Sequence, residues 1–400
     1  MVPCGYVLPR KNAGMTLIKG NKVLTKSQCD VLRGLAIIGI FLHNFCHWLP
    51  GSNKENEYTF LLERSNSMWN YWTGGGIDHF FPIQFFSFFG HYGVPLFLFL
   101  SGYGLVLKYE REGAARVKTL PFLGYHWLKL FRLMILGFLL SVLAYNVLCN
   151  LEPHPWNEVV SQLTMVVNLI FTDPGGALLP GPYWFFGLML EVYIIYRLLI
   201  YPSHDKSNSV WRWLTPLLLI IVSWLFMATQ EANVSTLNYL RYNATVAMLP
   251  FGLGILVARY GMPKLPKPAL AIIAFVSIPA MAVFNLNYQS WLWTPAVVIA
   301  GAVAFVLLFD SLSRRASNVV LKPLAWFGAM SSSIFVVHSI PRIPMFKFVL
   351  WRQHELALSN YWWLIAYIVL TLVLAWLYNQ YLKLIPSPRL KDGKTITFSK

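Results

Sequence analysis

The sequence predicts an all-α, polytopic membrane protein with about ten transmembrane helices. Three observations point to this class. Hydrophobic residues make up 56% of the 400 residues and charged residues only 12%, and the mean hydropathy is +0.53. Apolar runs of roughly 20 residues, the length that spans a bilayer, recur along the chain. Because soluble domains carry about 25% charged residues, the composition does not fit an ordinary soluble enzyme.

The predicted spans follow one another with short connections. They lie near 30–49, 82–107, 122–148, 183–201, 211–229, 243–260, 268–285, 292–311, 324–340 and 361–383. They form one membrane domain, 28–385, between basic cytoplasmic tails at 1–27 and 386–400. The first tail has no apolar core followed by a cleavage site, so the first span is expected to be the targeting signal. The short apolar stretch 159–172 is predicted to be a re-entrant or interfacial helix on the outer side.

The basic residues give a net charge of +16 and lie in short clusters between the apolar runs. No DNA- or RNA-binding pattern accompanies them, so they indicate membrane topology and no nucleic-acid partner. Connections poor in Lys and Arg, which alternate with basic ones, lie at 50–81, 149–182, 230–242 and 286–291. This alternation predicts that both termini are cytoplasmic. The last outer connection, 341–360, breaks the pattern with Arg342, Lys347 and Arg352.

The first span carries polar residues in "RGLAIIGIFLHNFCHWLP", from Arg33 to Pro50. On a helix with about 100° and 1.5 Å per residue, Asn44 lies roughly 20° and His47 about 40° around from Arg33, while His43 lies about 80° away on the flank. The resulting stripe is about 21 Å long. Polar side chains are costly on a helix face that contacts lipid, so the first helix is predicted to line a polar cavity. Arg33 taken alone could instead snorkel to the interface.

Other spans carry fewer polar residues. Glu191 is the only carboxylate deep within a predicted span, where it needs a basic partner, a proton or a cavity. His91 and His338 complete the intramembrane set, and Lys129 and Arg132 lie in the cytoplasmic third of the third span, where long basic side chains can snorkel.

The four cysteines have no CxxC or Cys/His spacing, so the sequence predicts no metal site. Cys46 lies beside the first-helix histidines and could be read as a nucleophile, but a small buried residue is the simpler interpretation. Cys46 and Cys149 both fall near predicted outer ends of spans and could form a disulfide, with two free thiols as the default.

Four segments together resemble the acyltransferase 3 family of integral membrane acyltransferases. They are "LRGLAIIGIFLHN", "GHYGVPLFLFLSGYGLVLKYE", "GPYWFFGLMLEVYIIYRLL" and "FGAMSSSIFVVHSI". The similarity covers roughly residues 28–385, in matching order and spacing.

The resemblance implies transfer of an acyl group, commonly acetyl, from cytoplasmic acyl-CoA to a hydroxyl of an extracytoplasmic or lipid-linked glycan. The family has an arginine in its first helix, matched by Arg33, and a catalytic histidine usually eleven positions later. Position 44 is asparagine here, so the general base is expected to be His43, one residue early, or His47 on the stripe. Neutral histidine suits proton abstraction near pH 7.

The resemblance assigns further roles to matching residues. Arg33, Lys129 and Arg132 are the candidate ligands of the CoA phosphates, as cations suit these anions. Ser101, in the matching "SG" of the second span, is a candidate for substrate binding. Glu191 and His338 could orient the base or line the acceptor side. The expected partners are acyl-CoA, membrane lipid and a glycan acceptor, and the expected location is a bacterial inner membrane.

Two other classes stay open at this point. A transporter or flippase of a lipid-linked sugar or small polar solute would also line its core with polar residues, but the sequence shows no internal repeat of the kind common in transporters. A structural or sensory membrane protein would leave the Arg33 stripe without a purpose.

Overall fold

The computed structural model describes residues 23–56, 59–75, 77–111, 113–149, 152, 154–173, 176, 180–203, 210–231, 233–348 and 350–399. Most of the predicted tail 1–27 therefore lies outside the described residues.

Helices dominate the described chain. In the first half they are α1 Lys26–Cys46, α2 Leu62–Thr73, α3 Phe81–Phe89, α4 Gly93–Tyr109, α5 Thr119–Leu143, α6 Trp156–Thr164, α7 Val167–Ile170 and α8 Trp184–Ile195. In the second half they are α9 Trp211–Ala228, α10 Val234–Leu240, α11 Ala244–Tyr260, α12 Lys267–Phe284, α13 Tyr288–Trp291, α14 Thr294–Asp310, α15 Arg314–Val337, α16 Ser339–Phe348 and α17 Ser359–Leu384. Short 3₁₀ or π segments extend these helices at Gly90–Tyr92, Ala144–Leu148, Gly181–Tyr183, Tyr196–Ile200, Tyr201–Ser203 and Leu350–Arg352.

Eight helical stretches of the described chain are long and apolar enough to cross a membrane. The pair α10 and α11, bent by 52°, adds a ninth if it counts as one span, and α14 is a shorter apolar helix. Every predicted span coincides with a helix. In lipid, helix formation satisfies the backbone groups within each apolar run, which explains this agreement. The predicted fold class, an all-α polytopic membrane protein, is confirmed.

A capping box starts α1 just before its apolar run. The Thr25 side chain accepts a hydrogen bond from the Gln28 backbone N–H, and the Gln28 side-chain oxygen accepts one from the Thr25 N–H at 2.8 Å. The Gln28 amide nitrogen then donates to Asp310 at the end of α14, at 2.9 Å. The cap therefore fixes both where α1 begins and how it meets a neighbouring helix.

The centre of the bundle is formed by α1 and by the span that contains α3 and α4. In these two spans 72% and 89% of the most apolar window is buried, against 22% in α9 and 28% in α12, which face outward. The helices α1 and α15 are in backbone contact at Gly34. A Cβ atom at this position would lie 1.8 Å from the backbone oxygen of Leu324, so a larger residue does not fit. Small residues permit this close approach between membrane helices.

Both described ends of the chain lie at the same end of the bundle. Tyr103, near the end of α4, donates to the Leu24 carbonyl at 3.0 Å, and Lys118, next along the chain before α5, donates to the Gly393 carbonyl at 2.9 Å. The charge pattern predicts that this end faces the cytoplasm, and we name the two ends of the bundle according to that prediction.

The C-terminal segment, expected only to be a basic tail, forms a β-hairpin. Strands β1 Ser387–Lys391 and β2 Thr395–Ser399 pair antiparallel. The turn contains Asp392 and Gly393 with φ of 48° and 67°. Asp-Gly with positive φ at both positions is typical of a tight hairpin turn, so the local sequence explains the strand pairing.

The segment 159–172 is divided between α6 and α7, with Met165 in the left-handed conformation between them. Neither helix is long enough to cross a bilayer. Its assignment as a re-entrant or interfacial segment stays a prediction.

A fully buried ion pair joins the cytoplasmic ends of several spans. Arg259 of α11 donates to both carboxylate oxygens of Glu110, at 2.8 and 2.9 Å, and neither side chain is exposed. Arg259 also donates to the carbonyls of Arg212 and Ile200, and Tyr196 donates to Glu110 at 3.0 Å. This network connects α4, α8, α9 and α11, and its satisfied donors mark it as structural.

Candidate active site

His43 lies near the outer end of α1 with only 4% of its surface exposed. Its Nδ1 lies 3.0 Å from the Ser87 carbonyl oxygen and 3.3 Å from that of Phe86, both in the last turn of α3. A carbonyl oxygen only accepts, so Nδ1 must carry the hydrogen. The other ring nitrogen, Nε2, therefore keeps its lone pair and can accept a proton.

One helical turn later, His47 forms a close ion pair with Glu55. Its Nδ1 lies 2.5 Å from a carboxylate oxygen of Glu55, whose side chain is 5% exposed. The imidazole and the carboxylate therefore lie in direct contact, which holds the His47 ring beside Glu55. Glu55 lies in a polar loop, and the sequence around it gives no sign of a buried acid.

The loop that carries Glu55 is held by its own polar side chains. Lys54 contacts the carbonyl of His47 and donates to the Ser52 hydroxyl at 3.2 Å. Arg64 of α2 donates to the Glu55 carbonyl at 2.8 Å. The contacts of Lys54 and Arg64 therefore hold the loop, and with it the Glu55 carboxylate, beside α1.

Burial raises the pKa of Glu55, but the hydrogen bond from His47 and the nearby imidazoles outweigh it and hold the pKa below its usual value of 4.5. A carboxyl group whose pKa is lowered by folding stabilises the protein above the unfolded pKa and loses this contribution as the pH falls.

We therefore expect Glu55→Gln to destabilise the protein by about 1.5–3 kcal/mol near neutral pH, the usual contribution of a hydrogen bond to a charged group. The difference from wild type should shrink as the pH falls below 4.5. Thermal unfolding in detergent between pH 7 and 3 measures it, with Glu63→Gln on the exposed face of α2 as the control. A difference that did not change with pH would contradict this account.

Three imidazoles meet at the outer end of the bundle. The ring centroid of His43 lies 5.1 Å from that of His47 and 5.5 Å from that of His91, which is 3% exposed. His338, fully buried at the end of α15, donates through Nδ1 to the Phe335 carbonyl at 2.7 Å and is near enough to His43 for the two to interact electrostatically. The structure thus gathers histidines from three separate parts of the sequence.

Arg342 completes this group. It is 6% exposed and donates from one nitrogen to the backbone and side-chain oxygens of Asn44, at 3.0 and 3.1 Å. Its guanidinium also lies over the Trp48 ring. The sequence offered one signal for it, since Arg342 is a cation in a connection expected to be poor in basic residues. The structure explains that exception, because Arg342 belongs to the buried cluster.

Arg33 lies at the other end of α1. It forms an ion pair with Asp30 at 2.8 Å and is 7% exposed. Ten residues separate it from His43, a rise of roughly 15 Å. Arg33 therefore does not reach the imidazole cluster, and a catalytic role for it stays a prediction, as does its role as a phosphate ligand.

The two other predicted phosphate ligands lie on α5. Arg132 donates to the carbonyls of Leu382, Ile385 and Pro386, where α17 ends. Lys129 is partly exposed and lies 6.0 Å from the Tyr125 ring centroid.

Lys108, one of the basic residues expected only to indicate membrane topology, lies beside them. Lys108 donates to the Tyr125 hydroxyl at 2.9 Å, so Tyr125 lies between two lysines at the cytoplasmic end. This pair could bind an anion.

The remaining predicted site residues have contacts within the fold. The Glu191 carboxylate accepts from the backbone N–H of Ala244 at 2.9 Å, at the start of α11, where the helix dipole favours a negative charge. The Ser101 hydroxyl donates to the Phe97 carbonyl at 2.8 Å within α4. Substrate binding by Glu191, Ser101 and His338 stays a prediction.

Within the part of the chain that the structure describes, one set of side chains could hold a metal ion. His43, His47 and Glu55 each offer one ligand atom, and these atoms lie within 4.8 Å of one another. Two histidines and a carboxylate are a ligand set that Zn²⁺ accepts. Among the described cysteines, Cys46 and Cys149 are buried thiols without a disulfide and do not belong to this set.

The comparison with known families agrees with the fold. The family model Acyl_transf_3, described as "Acyltransferase domain", matches residues 27–380, nearly the whole chain. No curated protein and no solved structure matches the chain. The buried histidine cluster lies inside the matched region, among helices that span a membrane. The chain therefore belongs to the acyltransferase 3 family, and it is an integral membrane acyltransferase.

Proposed function

We propose that this protein transfers an acyl group, with acetyl as the simplest case, from acyl-CoA at the cytoplasmic face to a hydroxyl of an extracytoplasmic or lipid-linked glycan. One observation carries the proposal. His43 is buried at the outer end of α1 with Nδ1 bound to two backbone carbonyls, which leaves Nε2 as a proton acceptor. The family match supports acyl transfer in general.

In the proposed reaction His43 takes the proton of the acceptor hydroxyl. The hydroxyl oxygen attacks the thioester carbonyl, the C–O bond of the new ester forms and the C–S bond breaks. The CoA thiolate leaves and takes the proton back from the imidazolium. The buried Glu55 carboxylate, held in place by His47, stabilises the positive charge that develops on the His43 ring. Arg342 would stabilise the negative charge on the thioester oxygen.

The donor would bind with its phosphates at the cytoplasmic end of the bundle. Lys129 and Lys108 flank Tyr125 there, and Arg33 lies near the same end of α1. Because Arg132 already donates to three carbonyls at the end of α17, we assign the larger share of phosphate binding to the lysines and Arg33. The flexible arm of CoA would then carry the thioester toward His43.

The direct test uses purified protein in lipid nanodiscs with radiolabelled acetyl-CoA and a fraction of lipid-linked and surface glycans. We expect label to appear in alkali-labile esters of the glycan fraction together with release of free CoA. If folded protein transferred no label to any glycan and released no CoA, the proposed function would be wrong.

The proposed reaction needs no metal ion. We expect chelators to leave the transfer rate unchanged and added Zn²⁺ to inhibit it, because Zn²⁺ bound to His43, His47 and Glu55 would occupy the lone pair that accepts the proton. A Zn²⁺ titration of the initial rate measures this, and Glu55→Gln should weaken the inhibition. Loss of activity with chelator and its recovery with Zn²⁺ would show a metal-dependent enzyme instead.

A further inference from the structure

The short helix α3 carries only two polar side chains, Gln84 and Ser87, in the sequence "FPIQFFSFF". Residues three apart lie about 60° from one another on a helix, so both side chains leave the same face. Gln84 is 6% exposed and Ser87 is fully buried. Because a buried polar group is costly unless it is hydrogen-bonded, both side chains need partners.

These partners lie in the loop that leads to Glu55. The Gln84 side-chain oxygen accepts from the backbone N–H of Asn53 at 2.7 Å, and its amide nitrogen donates to the Gly51 carbonyl at 3.2 Å. The Ser87 hydroxyl donates to the Asn53 carbonyl at 2.7 Å. Both backbone hydrogen-bonding groups of Asn53, two residues before Glu55, are therefore held by α3.

The same turn of α3 also holds the candidate base. His43 Nδ1 lies 3.0 Å from the Ser87 carbonyl oxygen and 3.3 Å from that of Phe86. Ser87 thus binds His43 through its carbonyl and the Glu55 loop through its hydroxyl. A ring nitrogen of His43 and a carboxylate oxygen of Glu55 lie within 4.8 Å of each other. The helix α3 therefore sets the position of the carboxylate loop relative to the imidazole ring.

Other contacts of the loop connect it to different elements. Lys54 contacts the carbonyl of His47, and Arg64 of α2 donates to the Glu55 carbonyl. Neither contact ties the loop to the carbonyls that hold His43. The attraction between a carboxylate and an imidazolium depends on their separation, and it is stronger in a buried site than in water. The contacts from α3 therefore bear directly on how well Glu55 stabilises charge on His43.

We infer that Gln84 and Ser87 are positioning residues for acyl transfer, which hold the Glu55 carboxylate at the distance from His43 that stabilises the developing imidazolium. This role rests on the proposed function, in which His43 takes the proton of the acceptor hydroxyl. The two side chains act through the loop and do not touch the reacting atoms. The bonds made and broken stay those of the proposed reaction.

Gln84→Met removes both hydrogen bonds to the loop and keeps a side chain of similar length. We expect kcat with acetyl-CoA and one glycan acceptor, measured on the full chain in nanodiscs, to fall by about 10- to 100-fold. A displacement of about 1 Å in a reacting site acts on this scale. KM for acetyl-CoA should change by less than about twofold, because in the proposed function the donor phosphates bind at the opposite end of the bundle.

Ser87→Ala provides an independent test, because Gln84 is buried and its replacement could unfold the protein. It removes the hydroxyl that donates to the loop and keeps the carbonyl that binds His43, so kcat should fall while KM for acetyl-CoA stays unchanged. Gln289→Met is the matched control. It makes the same chemical change at an exposed glutamine of α13, which donates to the Ala228 carbonyl at 3.2 Å, and it should leave kcat unchanged.

A double-mutant cycle with Glu55→Gln separates positioning from a general loss of packing. Glu55→Gln removes the carboxylate that the loop positions, so adding Gln84→Met or Ser87→Ala to it should lower kcat further by less than about twofold. A residue that only supported the fold would lower kcat by the same factor with or without the carboxylate.

The outcomes separate this inference from the proposed function. Equal factors in the two backgrounds, or a kcat that neither single variant lowers, would overturn the positioning role and leave the enzyme in place. If the wild-type protein transferred no acyl group, the proposed function itself would fail.

Discussion

His43→Gln is expected to lower kcat for acyl transfer by about 10²–10⁴-fold, the usual contribution of a general base. Glutamine can keep a hydrogen bond to the carbonyls of Phe86 and Ser87, which now hold His43 Nδ1, so the fold should survive. It has no nitrogen lone pair to accept a proton. The initial rate of ester formation in nanodiscs, normalised to folded protein, measures this effect.

Two matched variants complete the experiment. His354→Gln changes an exposed histidine far along the chain and should leave the rate unchanged. His47→Gln should cause a smaller loss than His43→Gln, because His47 holds the Glu55 carboxylate in our mechanism and does not take the proton. A full loss with His47→Gln and a small one with His43→Gln would make His47 the base.

Arg259→Met is expected to destabilise the protein by about 3–5 kcal/mol. The substitution leaves the Glu110 carboxylate buried without the two hydrogen bonds that Arg259 donates. It also removes the contacts that connect the cytoplasmic ends of α4, α9 and α11. Thermal unfolding in detergent, followed by tryptophan fluorescence, should show a large fall in the transition temperature.

Two further variants test the cause of this fall. Lys264→Met removes an exposed cation just beyond α11 and should change stability by less than about 0.5 kcal/mol. Arg259→Met combined with Glu110→Leu should recover part of the loss, because a buried ion pair replaced by apolar residues is often tolerated. If the double variant were as unstable as the two single losses added together, the ion pair would not explain the effect.

The sequence predicted the fold well because lipid leaves an apolar run few alternatives to a helix. All ten predicted spans are helical, and the short segment 159–172 forms only short helices. The hairpin at the C-terminus was not predicted, although Asp392-Gly393 is a turn signal. In a short stretch that otherwise looks like a basic tail, that signal is weak.

The site was predicted only in part, because a helical wheel shows direction but not partners. It placed Asn44 and His47 on one stripe with Arg33, and the structure gives each a different partner. Arg33 binds Asp30, Asn44 accepts from Arg342, and His47 binds Glu55. Arg342 and Glu55 come from outside α1, and the local sequence around them does not indicate these contacts.

The environment of His43 likewise depends on residues outside the first span. The wheel placed it on the flank of the stripe, and the family resemblance made it the first candidate for the base. The carbonyls of Phe86 and Ser87, more than forty residues away, determine its tautomer. Only the packing of α3 against α1 brings these groups together, and no spacing within the first span encodes it.

The most direct test of the account is a sidedness measurement in sealed vesicles that hold the protein in one orientation. The C-terminal hairpin faces the lumen, labelled acyl-CoA is trapped inside, and the glycan acceptor is present only outside. We expect ester on the outside glycan, formed at a rate that His43→Gln lowers by about 10²–10⁴-fold. In our mechanism the donor enters at the hairpin end and the base lies at the other end of α1. Ester formed only when donor and acceptor share one side of the membrane would contradict it.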